Sequence, residues 1–158
     1  MSERRHEKTL RANGWTLLFH PLFEAQLDEL TQTVENLQAK VGEEYVKHND
    51  AKRLAAIYRL ITEVIPADPA DAKFRQGNTL GKDHRHWYRA KFFQQYRLFF
   101  RFDQAAKIII YVWVNDTNTK RAYSSKTDAY RVFKKMLENG NPPDSWTDLI
   151  TSSKSKRG

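Results

Sequence analysis

Between Trp87 and Val114 the chain alternates basic residues with aromatic or aliphatic ones at a spacing of two. The run reads Trp87-Tyr-Arg-Ala-Lys-Phe-Phe-Gln-Gln-Tyr-Arg-Leu-Phe-Phe-Arg-Phe102, then Asp-Gln-Ala-Ala, then Lys107-Ile-Ile-Ile-Tyr-Val-Trp-Val114. On a strand, successive side chains point to opposite faces. Arg97, Phe99 and Arg101 therefore share one face, and Leu98, Phe100 and Phe102 share the other. The pattern predicts strands near 86–93, 95–103 and 107–114, with Asp103–Lys107 as the turn of a hairpin. One face builds a core while the other carries a row of guanidinium groups.

The flanking sequence supplies what such a sheet needs for cover. Gly14–Phe19 reads as a short strand that His20-Pro21 ends, proline being favoured at a first helical position. Phe23, Leu27, Leu30, Val34, Leu37 and Val41 recur at steps of four and three, which predicts a long amphipathic helix ending near Gly42. Leu54, Ile57, Tyr58, Ile61, Val64 and Ile65 mark a second helix, capped by Asn49 or Asp50 and stopped by Pro66. The two form an antiparallel helical hairpin, and a loop covers 66–86. After a polar loop at 115–126, Thr127 or Asp128 caps a third helix carrying Ala129, Val132, Phe133, Met136 and Leu137, closed by Gly140. Asp144 or Ser145 starts a final short helix with Trp146 and Leu149. The expectation is an α+β single domain. Its sheet is mainly antiparallel and twisted, with the N-terminal helical hairpin on one face and a C-terminal helix. The second face of the sheet, with its arginines, is expected to stay partly open. Residues 1–13 read as a flexible N-terminal segment, 14–150 as the domain and 151–158 as a disordered tail.

Charge narrows the functional classes. The chain has 158 residues, 27 Lys+Arg against 19 Asp+Glu, and a net charge of +8. Residues 82–135 hold 13 Lys/Arg and only 4 Asp/Glu, so the positive excess lies wholly in that segment. A confined positive field suits a polyanion. A solvated face or a docking patch for an acidic protein would carry the same charge. Cysteine is absent, which excludes disulfides, thiol catalysis and cysteine-held metal, and suits a reducing cytoplasm. No stretch approaches the roughly 18 apolar residues of a membrane span, and the charged start does not read as a secretory signal.

Neither a phosphate-binding glycine loop nor a Gly-x-Ser-x-Gly nucleophile site is present. His20, His84 and His86 are possible metal ligands. His84-Arg85-His86, however, has only Asp83 as a sequence-local carboxylate and lies in a cationic segment, so these histidines are read as surface or RNA-facing groups. No metal or cofactor is expected. What remains is a cluster of Arg, Lys and Tyr. RNA carries its own nucleophile, the 2′-hydroxyl. A protein cleaves RNA by aligning that hydroxyl with the adjacent phosphate and stabilising the charge of the transition state. Arg89 and Lys91, two residues apart, face the same way on one strand, and Arg97 and Arg101 do so on the next. Such cations donate charged hydrogen bonds to phosphate.

Three groups of motifs then take on meaning together. They are Gln76-Gly77-Asn-Thr-Leu80-Gly81, Trp87-Tyr88-Arg89-Ala-Lys91-Phe92, and Tyr96-Arg97-Leu-Phe-Phe-Arg101-Phe102. The sequence resembles the RelE-type toxins of bacterial type II toxin–antitoxin systems, and more closely their YhaV branch. Asn13-Gly14-Trp15, His20-Pro21, Trp113-Val-Asn115-Asp116, Thr119, Arg121, Tyr123, Lys126-Thr127-Asp128-Ala129-Tyr130 and Pro142-Pro143 with Trp146 extend the likeness over nearly the whole chain. The resemblance implies a RelE-like fold and a ribosome-dependent mRNA endoribonuclease (an mRNA interferase) acting without a cofactor. It implies a PrlF-type antitoxin partner of the swapped-hairpin, AbrB-like kind, with operator DNA bound only through the complex. By the same resemblance Arg89 and Lys91 fill the basic second-strand role, Arg97 the next-strand arginine and Arg121 the further arginine. Tyr123 or Tyr130 is the proton donor. His84, Arg85, His86, Arg101, Lys120 and Lys126 are the surrounding RNA-binding residues. A non-catalytic protein that binds RNA or the ribosome and blocks translation would use the same cations.

Overall fold

The structure, a computed structural model, describes residues 10–115 and 127–155. Its sheet follows the path β1 (Leu10–Ala12), β2 (Trp15–Phe19), β5 (Ile108–Val114), β4 (Tyr96–Asp103), β3 (Tyr88–Phe92). A two-residue strand β6 (Lys154–Ser155) also pairs with β2. Every pairing is antiparallel except β2 with β5, which is parallel. The helices between β2 and β5 account for that one parallel junction, since parallel neighbours need a long crossover. The ordered sheet begins earlier and ends later than the sequence suggests. Leu10–Ala12 add to one part of the β2 edge and Lys154–Ser155 to the rest. These short segments gain main-chain hydrogen bonds that a hydrophobicity pattern does not register.

Helix α1 (Pro21–Val41) and helix α2 (Asn49–Arg59), joined by a 3-10 turn (Gly42–Lys47), form the expected hairpin. Phe23, Leu27, Leu30 and Val34 of α1 are buried against Leu17, Phe19, Leu98, Phe100, Ile109 and Tyr111 of the sheet. The Tyr111 hydroxyl donates to the Ile61 carbonyl at 2.8 Å, tying the sheet to the helical layer. Two details depart from expectation. The residue flanking α2 is His48, which makes no side-chain cap bond, while Asp50 lies inside the first turn and pairs with Arg53. Pro66 does not stop the helix. A wide π turn (Leu60–Val64) precedes it and one more helical turn (Ile65–Ala67) follows. The wider turn re-registers the backbone just where proline has no N–H to give.

The larger correction concerns the second face of the sheet. It is not open. Helix α3 (Thr127–Glu138) and helix α4 (Trp146–Ser152) cover it. Trp87, Phe99, Ile110, Val112, Trp113, Tyr130, Phe133, Leu137 and Leu149 form a second buried cluster there. Phe99 stacks on Phe133 at 4.2 Å and 8°. Trp113 lies 5.7 Å from the same ring at 18°, and Trp87 meets it edge-on at 5.0 Å. A bulge makes this possible. Phe99 pairs with Trp113 but Phe100 pairs with Tyr111, leaving Val112 unopposed. The extra residue turns Val112 and Trp113 to the same face. Helix α3 closes with the Gly140 amide on the Leu137 carbonyl and the Asn141 amide on the Met136 carbonyl, with φ of 86° at Gly140.

Two expected outcomes follow. Phe133→Ala, which empties the centre of the second cluster, should cost about 3–5 kcal/mol by urea unfolding. The second concerns His20, whose buried ring caps α1: its Nδ1 accepts the Leu22 amide at 3.1 Å. Burial lowers its pKa to about 4, below the unfolded value of about 6.5. As pH falls from about 6.5 towards 4, the unfolded chain takes up this proton before the folded one, so stability falls through that window, by about 1–3 kcal/mol. Urea midpoints at pH 7 and pH 4.5 should differ more for the parent than for His20→Asn, which caps without titrating.

Candidate functional site

The sheet register brings the sequence-predicted cations together. Lys91 lies directly opposite Arg97, and Arg89 opposite Phe99. All three share the second face, as their spacing requires. They differ sharply in exposure. Lys91 is exposed, whereas Arg89 is 8% and Arg97 2% exposed. Among the described residues no ion pair joins any of the three to a carboxylate.

Neutral oxygens hold the two buried guanidiniums instead. Arg89 Nε donates to the Tyr130 hydroxyl at 2.7 Å, and its Nη1 to the Lys73 carbonyl at 3.1 Å. Tyr130 sits in the first turn of α3 and meets Phe99 edge-on at 5.7 Å, so the aromatic stack fixes where that hydroxyl lies. A phenol oxygen that accepts from a guanidinium keeps its own O–H proton for donation elsewhere. Arg97 Nη1 donates to the Gln94 and Tyr96 carbonyls at 2.8 and 2.9 Å. Its amide donates to Asn115 Oδ1 at 2.7 Å, and Asn115 Nδ2 donates in turn to the Gln95 carbonyl at 3.0 Å. These bonds lock the β3–β4 turn, where Phe93 and Gln94 both adopt positive φ. Arg97 Nε is buried and has no partner among the described residues. A buried unpaired donor costs about 1–3 kcal/mol.

Around the turn, Phe93 is 48% exposed. It lines a groove with His48, Lys52, Arg53, Gln95 and Tyr96. The Arg53 guanidinium lies 5.5 Å from the Tyr96 ring centre.

The remaining candidates fall into a second cluster. The Arg101 guanidinium is sandwiched between the rings of Trp87 and Trp146, at 5.5 and 5.4 Å, and donates to the Asp144 carbonyl at 2.6 Å. Burial pulls its pKa down while the Asp144 charge pulls it back up. Arg101 thus lies half-buried against two indoles instead of standing in an open arginine row. Asp144 Oδ1 accepts from Trp87 Nε1 at 2.7 Å and lies 3.0 Å from both His84 Nδ1 and His86 Nε2. Burial alone would raise the Asp144 pKa, but the bonds from Trp87 and the histidines outweigh it and hold the carboxyl below its ordinary range. Gln76 shapes the loop beneath: its Nε2 donates to the His84 carbonyl, and its Oε1 accepts from Thr79 and Leu80. Arg85 Nε turns away to Asn78 Oδ1 at 2.6 Å. Sequence reasoning offered Asp144 only as a helix cap, yet Ser145 caps α4. The carboxylate that His84 and His86 lacked locally thus arrives from some 60 residues away, a pairing no local spacing could reveal. Lys120, Arg121, Tyr123 and Lys126 lie outside the described residues.

Comparison with known proteins identifies the family. Residues 17–154 match the YhaV toxin family, described as toxins with endonuclease activity, of toxin–antitoxin systems. The chain belongs to the YhaV toxin family. It is 45% identical over 141 residues to the ribonuclease toxin YhaV of Escherichia coli K12, covering 88% of this chain and 92% of that protein. The toxin YhaV of Escherichia coli O157:H7 gives the same figures. No solved structure gives a significant match. Membership of the family makes this chain a toxin with endonuclease activity whose system includes an antitoxin. No described helix is long and apolar enough to cross a membrane.

Asp144→Ala leaves the Trp87 indole N–H without its acceptor and should destabilise the fold by about 1–3 kcal/mol in urea titrations.

Proposed function

We propose that this YhaV-family toxin is an mRNA interferase that cleaves mRNA on the ribosome in the cytoplasm, with the 2′-hydroxyl attacking the adjacent phosphate. The observation that carries the reading is the Arg89–Tyr130 hydrogen bond set beside Lys91 and Arg97. Tyr130 is thereby bonded to Arg89, on a sheet face whose other cations, Lys91 and Arg97, likewise have no carboxylate partner among the described residues. Lys91, the exposed member, meets the RNA backbone first and, with Arg89, helps activate the 2′-hydroxyl, whose proton passes to solvent as its oxygen attacks the phosphorus. Arg97 and Arg121 hold the scissile phosphate. Arg89 positions Tyr130, which protonates the leaving oxygen; Tyr123 is the alternative donor. Phe93 supplies an exposed ring on which a base can stack, beside the cations of the groove. The ribonuclease name of the Escherichia coli K12 relative supports RNA as the substrate. The antitoxin is of the PrlF type, and operator DNA is bound only through the toxin–antitoxin complex.

Cleavage of cellular mRNA, mapped with and without ribosomes, tests the activity. Ribosome-dependent cuts support the proposal, while intact mRNA in arrested cells would mean a non-catalytic block of translation. Lys91→Ala should keep the parent's fold and melting temperature but cut mRNA far more slowly. In RNA binding it should lower the salt slope by about one. Tyr130→Phe should lose on the order of 10²–10⁴ in cleavage rate, the usual worth of a general acid. If folded Arg89→Ala, Lys91→Ala and Arg97→Ala variants all cleave and arrest growth like the parent, the assignment is wrong.

A further inference from the structure

Three nitrogens converge on one oxygen in the second cluster: Trp87 Nε1 at 2.7 Å, His84 Nδ1 at 3.0 Å and His86 Nε2 at 3.0 Å from Asp144 Oδ1. A carboxylate oxygen has two lone pairs. The indole always donates, so it takes one of them, and two imidazole nitrogens are left to share the other. A neutral imidazole has one nitrogen that donates and one that accepts. Two of them aimed at a single lone pair cannot both be well satisfied as donors. If instead both present lone pairs, a cation between them and the carboxylate satisfies all three groups.

The geometry points to a divalent metal site of the zinc class, with His84 Nδ1, His86 Nε2 and an Asp144 carboxylate oxygen as ligands. The three ligand atoms lie within 4.8 Å of one another. Ligands on a tetrahedral zinc, bonded at about 2.0–2.1 Å, stand about 3.3 Å apart, so the set closes on an ion with little movement. Two imidazoles and a carboxylate are ligands zinc accepts, with the fourth position left to water. The surroundings are those of a built site. Trp87 Nε1 orients the carboxylate from behind, as outer partners of metal ligands do. The Gln76 side chain fixes the loop at the His84 carbonyl. The Arg101 guanidinium, half-buried against two indoles, is directed at the Asp144 main-chain carbonyl. The ion would clamp the loop before β3 to the segment between α3 and α4, so its role is to hold the second-face layer in place. It takes no part in the proposed cleavage.

Metal binding can be read without RNA, so its outcome is independent of the proposed activity. The full chain, stripped with a chelator, is titrated with Zn²⁺ against a chromophoric competitor and separately with Co²⁺. One Zn²⁺ should bind per chain, raise the melting temperature and release again to chelator. Co²⁺ should give the visible absorption of a histidine- and carboxylate-ligated ion. His86→Gln, at an exposed position, and Asp144→Asn should each weaken binding at least tenfold while circular dichroism stays parental. Trp87→Phe should weaken it about tenfold through the lost orienting bond. The inference is overturned if the parent binds no Zn²⁺. It is equally overturned if folded His86→Gln and Asp144→Asn bind as tightly as the parent, because the ion then sits on other residues.

Discussion

The stack of Phe99 on Phe133, 4.2 Å apart and nearly parallel, is the contact on which the functional half of this molecule depends. Phe99 is the single apolar residue between Arg97 and Arg101 on its face of β4. Without a partner helix it would be an exposed ring in a basic strip. With α3 laid over it, the face becomes a second core, and Trp87 and Trp113 close around the same ring. Stacked and edge-on aromatic pairs add about 0.5–1.5 kcal/mol each beyond the area they bury. Fixing α3 in this way also fixes Tyr130, one turn before Phe133, and so delivers its hydroxyl to Arg89.

Covering the face changes what its cations can do. Arg89 and Arg97 are held by carbonyl and phenol oxygens rather than by carboxylates, so among the described residues no ion pair opposes their charge. Removing an arginine from water is costly unless its donors are bonded; Arg89 Nε and Nη1 and Arg97 Nη1 are bonded to oxygens, while Arg97 Nε is buried without a partner among the described residues. The result is a positive wall held by hydrogen bonds, with one exposed cation, Lys91, in front of it. Rigid charge placed ahead of the reaction is what electrostatic stabilisation of a phosphoryl transition state requires.

Much of this was legible in the sequence, and the reasons for the rest are physical. Period-two alternation gave β3, β4 and β5 to within a residue or two, because each strand has one wholly apolar face. Steps of three and four gave α1 and α2 for the same reason. The closed second face was not legible, since Arg97 and Arg101 flank Phe99 and dilute its signal. The bulge at Val112, moreover, shifts Trp113 off the simple alternation. Lys91, Arg89 and Arg97 were placed together correctly by counting, but counting cannot tell an exposed lysine from an arginine buried at 2%. Asp144 was missed as a partner of His84 and His86 because contacts 58 and 60 residues apart leave no local pattern. The YhaV motifs carried the family, which geometry alone would not have named.

The central claim is that Arg89 and Tyr130 act on RNA as one unit positioned by the aromatic stack. A double-mutant cycle on mRNA cleavage, using Arg89→Ala, Tyr130→Phe and the double variant with folding verified for each, tests it most directly. The account requires the double variant to be scarcely slower than the worse single one. Losses that simply multiply would show that the two residues act independently, and would contradict it.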